Sequence, residues 1–157
     1  MSGTEAWRPE RAAEIIAQGA QAPGAALPIL HALQEAFGHV PEAAVPMLAD
    51  ALNLTRAEVH GVVSFYHDFR RAPPGRHVLR LCRAEACQSM GAEALAAQVQ
   101  AALQVGWGQT SADHAVTLEP VYCLGLCAVA PAGLIDGTPV GRLDGARLQA
   151  LIDDARV

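Results

Sequence analysis

Cysteine is the residue type in this sequence whose spacing most clearly predicts chemistry. The four cysteines form two pairs, with four residues inside the first pair, three inside the second and 35 between the pairs: Cys82, Cys87, Cys123 and Cys127. Paired cysteines of this kind bind either a structural zinc ion or an iron–sulfur cluster. Structural zinc usually takes its thiolates from tighter C-x2-C knuckles. The spacing therefore favours a [2Fe–2S] cluster, with zinc as the main alternative.

Other uses of cysteine fit the sequence less well. A thioredoxin-type dithiol needs C-x-x-C, and a Rieske centre needs two histidine ligands, yet no histidine lies within three residues of a cysteine. Disulfides belong to oxidising compartments. Residues 1–10 lack the pattern of a secretory signal, which is a basic segment followed by an apolar one. The sequence also has no run of roughly 18 apolar residues, the length needed to span a membrane. We therefore expect a cytoplasmic protein without direct membrane insertion.

Two predicted strands position the cysteine pairs. The segment His77–Leu81 predicts a strand that delivers Cys82 at its end, and Ala115–Tyr122 predicts a second strand that delivers Cys123. If the two strands are neighbours in one sheet, their ends lie side by side. We therefore expect all four sulfurs to converge on one point.

A cluster at this point needs hydrogen-bond donors. With four thiolates a [2Fe–2S] cluster carries about two negative charges when oxidised and about three when reduced, and burying that charge is costly. Gly125, between Cys123 and Cys127, can bend to offer backbone N–H groups. A helix predicted to begin just after Cys87 adds the positive end of its dipole. Arg83 is the nearest positive charge in the sequence.

The rest of the sequence predicts an α/β protein with two domains. An N-terminal helical bundle is expected at residues 1–72 and a domain with a mixed sheet at 76–157, separated by an Arg-rich and then Pro-Pro-Gly linker. Residues 106–114 are expected to form a loop. A hairpin is expected through Asp136-Gly137-Thr138, between strands at 134–135 and 139–143. Periodicity and capping signals predict helices at Pro9–Ala20, Leu27–Phe37, Pro41–Asn53, Thr55–Tyr66, Gly91–Leu103 and Gly145–Arg156.

Charge and motif content argue against several functions. A net charge of −5 does not favour nucleic acid as a partner, and the 11 basic residues are all arginine, which excludes lysine-based catalysis. Gly106-Trp-Gly108 follows a helix and lacks a third glycine, so it predicts a turn and not a nucleotide site. No paired-carboxylate or hydrolase motif is evident, and the histidines show no ligand pattern. We expect a chain without catalytic residues of its own.

Three aromatic residues cluster at the end of the fourth predicted helix, namely Phe65, Tyr66 and Phe69. Large aromatic side chains are usually buried at least in part. We expect at least two of the three to lie in the core. A docking surface is the alternative.

Two segments of the sequence resemble a known family. Cys82–Gly91 (CRAEACQSMG) and Leu118–Pro131 (LEPVYCLGLCAVAP) resemble the small [2Fe–2S] subunit of NADH dehydrogenases, the 24-kDa-type subunit of respiratory complex I and its relatives. Val59–Tyr66 is similar to the family's helix before the linker, and the resemblance covers roughly residues 10–157. It implies a four-helix bundle, a thioredoxin-like domain whose four cysteines hold the cluster, and a larger partner that binds flavin mononucleotide and NAD.

Within this family, the short length and the segment Gly61–Phe69 (GVVSFYHDF) look most similar to the gamma subunit of soluble, NAD-dependent, molybdenum formate dehydrogenases. That similarity implies an electron-transfer subunit beside a flavin- and NAD-binding subunit and a larger molybdenum and iron–sulfur catalytic subunit. The equivalent subunits of NAD-reducing hydrogenases and of complex I are alternatives. A free-standing [2Fe–2S] thioredoxin-like ferredoxin and a zinc-stabilised interaction module also stay open.

Overall fold

Two units, Met1–Pro73 and Pro74–Val157, make up the computed structural model of the chain, which describes residues 5–156. The outermost residues of the predicted domains, Met1 and Val157, lie outside the described residues. Within residues 5–156 no helix is both long enough and apolar enough to cross a lipid bilayer.

The first unit is helical. Its described helices are α1 (Pro9–Gly19), α2 (Ala26–Phe37), α3 (Ala44–Leu52) and α4 (Arg56–Phe65). Apolar residues at helical spacing form a core whose most buried side chains include Ile29, Leu30, Leu33, Leu48 and Val59.

Helix α3 begins three residues later than the sequence predicted. Pro41 does not open it, because residues 42–43 form a turn in which the N–H of Ala44 donates to the Pro41 carbonyl at 2.9 Å. Pro46 explains the difference, since proline has no N–H to donate to the preceding turn. A helix that begins at Ala44 keeps Pro46 in the first turn, where that donor has no intrahelical partner.

The prediction that at least two of the three clustered aromatic residues are buried was wrong. Only Phe69 is buried, at 5% exposure, whereas Phe65 is 73% and Tyr66 43% exposed. Phe65 is the last residue of α4 and the backbone of Tyr66 is extended, so both residues lie at the end of the helix, beyond its buried positions Val59 and Val63. Phe69 instead packs on His31, with 4.9 Å between ring centroids.

The second unit is a five-stranded mixed sheet. Its strands are β1 (His77–Cys82), β2 (Gln109–Thr110), β3 (Val116–Val121), β4 (Gly133–Ile135) and β5 (Thr138–Val140). Their order is β2-β3-β1-β4-β5; β1 and β3 are parallel, and the other pairs are antiparallel. The segment 106–114 was expected to be a loop throughout, but Gln109 and Thr110 pair with Leu118 and Thr117. Two residues are too few to show alternation in the sequence.

Two long helices pack on the sheet of the second unit. The helix α6 (Ala92–Leu103) contacts β1, α7 (Gly145–Arg156) contacts β3, and the two helices contact each other. The chain thus crosses between the parallel strands through helix, as parallel neighbours require. Fully buried side chains between the layers include Leu79, Val99, Leu118, Leu148 and Ile152. The α/β fold class with helices preceding a mixed sheet is confirmed.

A capping box fixes the start of α4 and gives a pH-dependent prediction. The backbone N–H and the hydroxyl of Thr55 both donate to the Glu58 carboxylate at 2.8 Å, and these bonds lower the pKa of Glu58 below its ordinary value of 4.5. Because the folded-state pKa is the lower one, the stabilisation is present above about pH 4.5 and is lost as the pH falls through the folded value.

We expect Thr55→Ala to lower the free energy of unfolding by about 1 kcal/mol at pH 7. Glu58→Gln should lower the melting temperature of the full-length protein at pH 7, and by less near pH 3, because protonation of the wild-type carboxyl removes the same charge as the pH falls. Ser64→Ala, an exposed change within the same helix, is the control. A Glu58→Gln difference that is equal at both pH values would contradict the pairing.

Candidate metal centre

The parallel pairing of β1 with β3 brings the two cysteine segments together. Cys82 is the last residue of β1 and lies opposite Val121, the last residue of β3. Cys123 follows two residues later, so both segments leave the sheet at the same edge. The N–H of Arg83 donates to the Val121 carbonyl at 2.8 Å, which keeps the chains paired one residue past the strands.

The second cysteine of each pair lies on a short helical turn. Cys87 is inside a helix, α5 (Glu85–Ser89), and Cys127 opens a 3-10 turn that ends at Val129. The helix expected to begin after Cys87, near Gln88 to Gly91, is α6, which begins at Ala92 with Gly91 as its N-cap; the short α5 that contains Cys87 was not expected. Gly91 separates the two helices in a left-handed conformation, with φ of 90°.

Burial divides the four cysteines into an inner and an outer pair. Cys82 and Cys87 are buried and form a small apolar cluster with Ala92 and Ala132. Cys123 and Cys127 are exposed, and all four thiols are free of disulfide bonds. One side of the site thus faces the protein interior and the other faces the surface of this unit.

The thiols contact each other within these same pairs. The Cys87 thiol donates a hydrogen bond to the sulfur of Cys82, and the Cys127 thiol donates one to the sulfur of Cys123. The pKa of Cys87 is raised mainly by burial and to a smaller extent by the hydrogen bond to Cys82. The pKa of Cys127 is raised mainly by the hydrogen bond to Cys123. A metal ion would bind each pair as thiolates, so its binding would release the thiol protons.

Backbone N–H groups point at the buried sulfurs. Burial by itself raises the pKa of Cys82, but the N–H groups of Ala84, Cys123 and Leu124 and the Cys87 thiol donate to its sulfur, and together they lower that pKa. The N–H of Ala132 donates to the Cys87 sulfur. Donors therefore reach the inner sulfurs from both cysteine loops and from the segment before β4.

The outer loop has the backbone conformation that such donation requires. Cys123 and Gly125 have φ values of 75° and 74°, in the left-handed region. Glycine adopts this conformation freely, whereas at Cys123 it is unfavourable and must be held by the surrounding structure. The expectation that a bend at Gly125 lets this loop offer N–H groups agrees with the donation from Leu124, the residue before it.

Arg83, the positive charge nearest to the cysteines in the sequence, is paired with other side chains in the structure. Its guanidinium forms hydrogen bonds of 3.0–3.1 Å to both carboxylate oxygens of Glu93 and lies 5.0 Å from the ring centroid of Trp107. Sequence reasoning did not include Glu93 or Trp107 in the site. Glu93 has no sequence spacing that links it to Arg83, and Trp107 lies in the segment that was interpreted only as a turn.

The donor set fits a two-metal cluster of the sulfide-bridged type. Cys82, Cys87 and Cys127 line one small apolar pocket together with Ala84, Ala86, Leu124, Leu126 and Ala132, and Cys123 is hydrogen-bonded to Cys127. Among residues 5–156, no three or more cysteine, histidine or carboxylate side chains are grouped around a point for a single metal ion. The cysteines instead lie in two thiol pairs, and four thiols in two pairs are the donor set that a [2Fe–2S] cluster takes.

Comparison with known proteins places the chain in a family. Residues 12–156 match the family model described as thioredoxin-like [2Fe–2S] ferredoxin. The chain belongs to the thioredoxin-like [2Fe–2S] ferredoxin family. Proteins of this family carry a [2Fe–2S] cluster, and the thioredoxin-like α/β fold and the cofactor expected from the sequence are therefore confirmed.

Relatives of this chain are named as subunits of NADH-quinone oxidoreductases. One such NADH-quinone oxidoreductase subunit, from Pseudomonas aeruginosa, is 40% identical over 123 residues, which cover 77% of this chain and 74% of the relative. Another, from Rhizobium meliloti, is 36% identical over 146 residues, which cover 91% of this chain and 87% of the relative. The resemblance to the complex I subunit family is confirmed.

A solved structure shares the fold of this ferredoxin-family chain. A chain of an NAD⁺-reducing [NiFe]-hydrogenase in its air-oxidised state superposes with a TM-score of 0.68 and 35% identity, over 81% of this chain. The match covers 22% of the hydrogenase chain, so this chain corresponds to about a fifth of that longer protein.

Unequal burial of the two cysteine pairs predicts unequal reactivity when no metal is bound. In the apoprotein we expect iodoacetamide to modify Cys123 and Cys127 at least roughly tenfold faster than Cys82 and Cys87, because a buried thiol reacts only when the structure opens. Peptide mapping over a time course measures the order. Labelling in concentrated urea is the control and should abolish the difference. First modification of the inner pair would contradict the arrangement.

Proposed function

We propose that Cys82, Cys87, Cys123 and Cys127 hold the family's [2Fe–2S] cluster and that the chain transfers single electrons through it. The observation that carries this proposal is the arrangement of two hydrogen-bonded thiol pairs at neighbouring strand ends, with backbone donors aimed at the inner sulfurs. In this assignment each pair binds one iron.

The protein residues have distinct tasks at this site. When bound, the cluster supplies a centre that accepts or releases one electron. The N–H groups of Ala84, Leu124 and Ala132 offset negative charge on the sulfurs, which matters most at the buried pair. Apolar neighbours such as Ala92 and Leu126 limit access of water on that side. The exposed pair forms the side on which a redox partner can approach.

We propose further that the chain serves as the electron-transfer subunit of a cytoplasmic NAD-dependent formate dehydrogenase. Its partners would be a flavin- and NAD-binding subunit, which converts two-electron hydride chemistry to single electrons, and a larger molybdenum and iron–sulfur catalytic subunit. The names of the relatives support an NADH-linked complex. The resemblance of Gly61–Phe69 to the gamma subunit of formate dehydrogenases supports the narrower assignment.

An NAD-reducing hydrogenase is the second candidate. It is favoured by the superposition with a chain of such an enzyme, which is 35% identical. In either complex this chain would contribute the cluster, and the nucleotide chemistry would belong to the flavin- and NAD-binding partner.

Ligand substitution tests the cluster assignment. The purified wild-type chain should be reddish brown, contain about two iron and two acid-labile sulfide per chain, and give an electron paramagnetic resonance signal after reduction. Substitution of any one of the four cysteines by alanine should lower the iron content and the sulfide content severalfold. Ser89→Ala, an exposed change two residues from Cys87, is the control. A colourless protein with one zinc per chain would contradict the proposal.

Isolation of the native complex tests the host enzyme. A tag on this chain should recover a flavoprotein and a molybdenum-containing subunit, and the preparation should reduce NAD with formate. Hydrogen-dependent reduction of NAD by a nickel-containing preparation would instead select the second candidate. Recovery of the chain alone with its cluster intact would favour a free-standing ferredoxin and contradict both.

A further inference from the structure

The main chain of Arg83 is fixed directly at the inner cysteine pair. It follows Cys82, its N–H donates to the Val121 carbonyl at 2.8 Å, and its own carbonyl accepts a hydrogen bond from the Gln88 side chain at 2.7 Å. The next N–H along the chain, that of Ala84, donates to the Cys82 sulfur. The side chain of Arg83 therefore starts within one residue of a sulfur and of one of its donors.

The side chain of Arg83 is equally fixed. The carboxylate of Glu93 holds the guanidinium with both oxygens at 3.0 Å, and the ring of Trp107 lies 5.0 Å from it. A two-oxygen contact with a planar guanidinium is more rigid than a single ion pair, and an aromatic face adds a cation–π contact. The side chains of Arg83 and Glu93 are 28% and 52% exposed, so the pair is only partly screened by solvent.

Two opposite charges at fixed positions act in opposite directions on a nearby redox centre. A positive charge favours the reduced cluster, which carries one more negative charge, and so raises the reduction potential. A negative charge lowers it. Because Arg83 and Glu93 are paired, their effects on the cluster partly cancel, and neither residue should be considered alone.

We propose that Arg83 and Glu93 form a charge pair that adjusts the reduction potential of the cluster, with Trp107 as the positioning residue for the guanidinium. This inference depends on the proposed cluster site and assigns to it three residues that are not ligands. Arg83 raises the potential, Glu93 lowers it, and the wild-type value reflects the difference between them.

The test is a redox titration of the full-length, cluster-loaded protein, followed by electron paramagnetic resonance. Glu93→Gln removes the negative charge with little change of shape and should raise the midpoint potential. Arg83→Gln should lower it. Each shift should be roughly threefold or more in the one-electron equilibrium, about 28 mV at 59 mV per tenfold. The double variant should lie between the two single variants.

Controls separate a charge effect from a structural one. Arg83→Lys keeps the charge and should restore most of the potential lost in Arg83→Gln. Arg156→Gln removes a positive charge near the opposite end of β3, where Arg156 pairs with Asp113 at 3.3 Å, and should leave the potential unchanged. Both single-variant shifts should shrink between low and high salt, because screening acts on charges and not on packing.

The outcomes decide between the possibilities. Opposite shifts of the two single variants support the proposal, and any other pattern, including two shifts of the same sign or none, overturns it. If Arg83→Gln fails to retain its cluster, the Glu93→Gln titration decides alone, since Glu93 is the more exposed partner. Failure of the cluster assignment itself is a separate result, because it would appear as absence of iron and sulfide in the wild-type protein.

Discussion

The parallel pairing of β1 with β3 is the constraint on which the site depends. Parallel neighbours end at the same edge of a sheet, so residues that follow them meet without any further folding of the loops. In this chain the pairing runs to Cys82 and Val121 and extends by one bond to Arg83. The crossover that parallel strands require also supplies the helical segment that carries Cys87. One topological feature thus positions three of the four sulfurs, and the short loop to Cys127 positions the last.

Unequal burial of the two cysteine pairs divides the work of the site. The inner sulfurs lie among alanine side chains, where negative charge is costly unless donors compensate it, and it is there that the backbone N–H groups point. The outer sulfurs are exposed, so water can stabilise them, and at Cys127 the residue's own N–H also donates to the sulfur. An electron carrier needs a centre that the protein holds firmly and that a partner can approach. The buried pair meets the first requirement and the exposed pair meets the second.

Sequence reasoning predicted what depends on local pattern and missed what depends on tertiary contacts. The cysteine spacing, the strand that leads to Cys82, the capping box at Thr55 and the closing helix α7 were all visible in the sequence, because each is specified within a few residues. The helix that contains Cys87 was not predicted, because five residues are too few to show a helical pattern. The exposure of Phe65 and Tyr66 was not predicted either, because it depends on the residue at which α4 ends. The roles of Glu93 and Ala132 could not be predicted, since both are set by segments distant in sequence.

Arg83 shows why a charge next to a ligand in sequence is a poor guide to the electrostatics of a site. Once Glu93 is counted, the charge of Arg83 is balanced within its own ion pair, and the compensation that the structure shows at the sulfurs comes from backbone N–H groups. Backbone donors remain when side chains change, so the large electrostatic requirement of the centre is met by the fold itself. A side-chain pair such as Arg83 and Glu93 then contributes only a smaller part of the electrostatics, because its two charges offset each other.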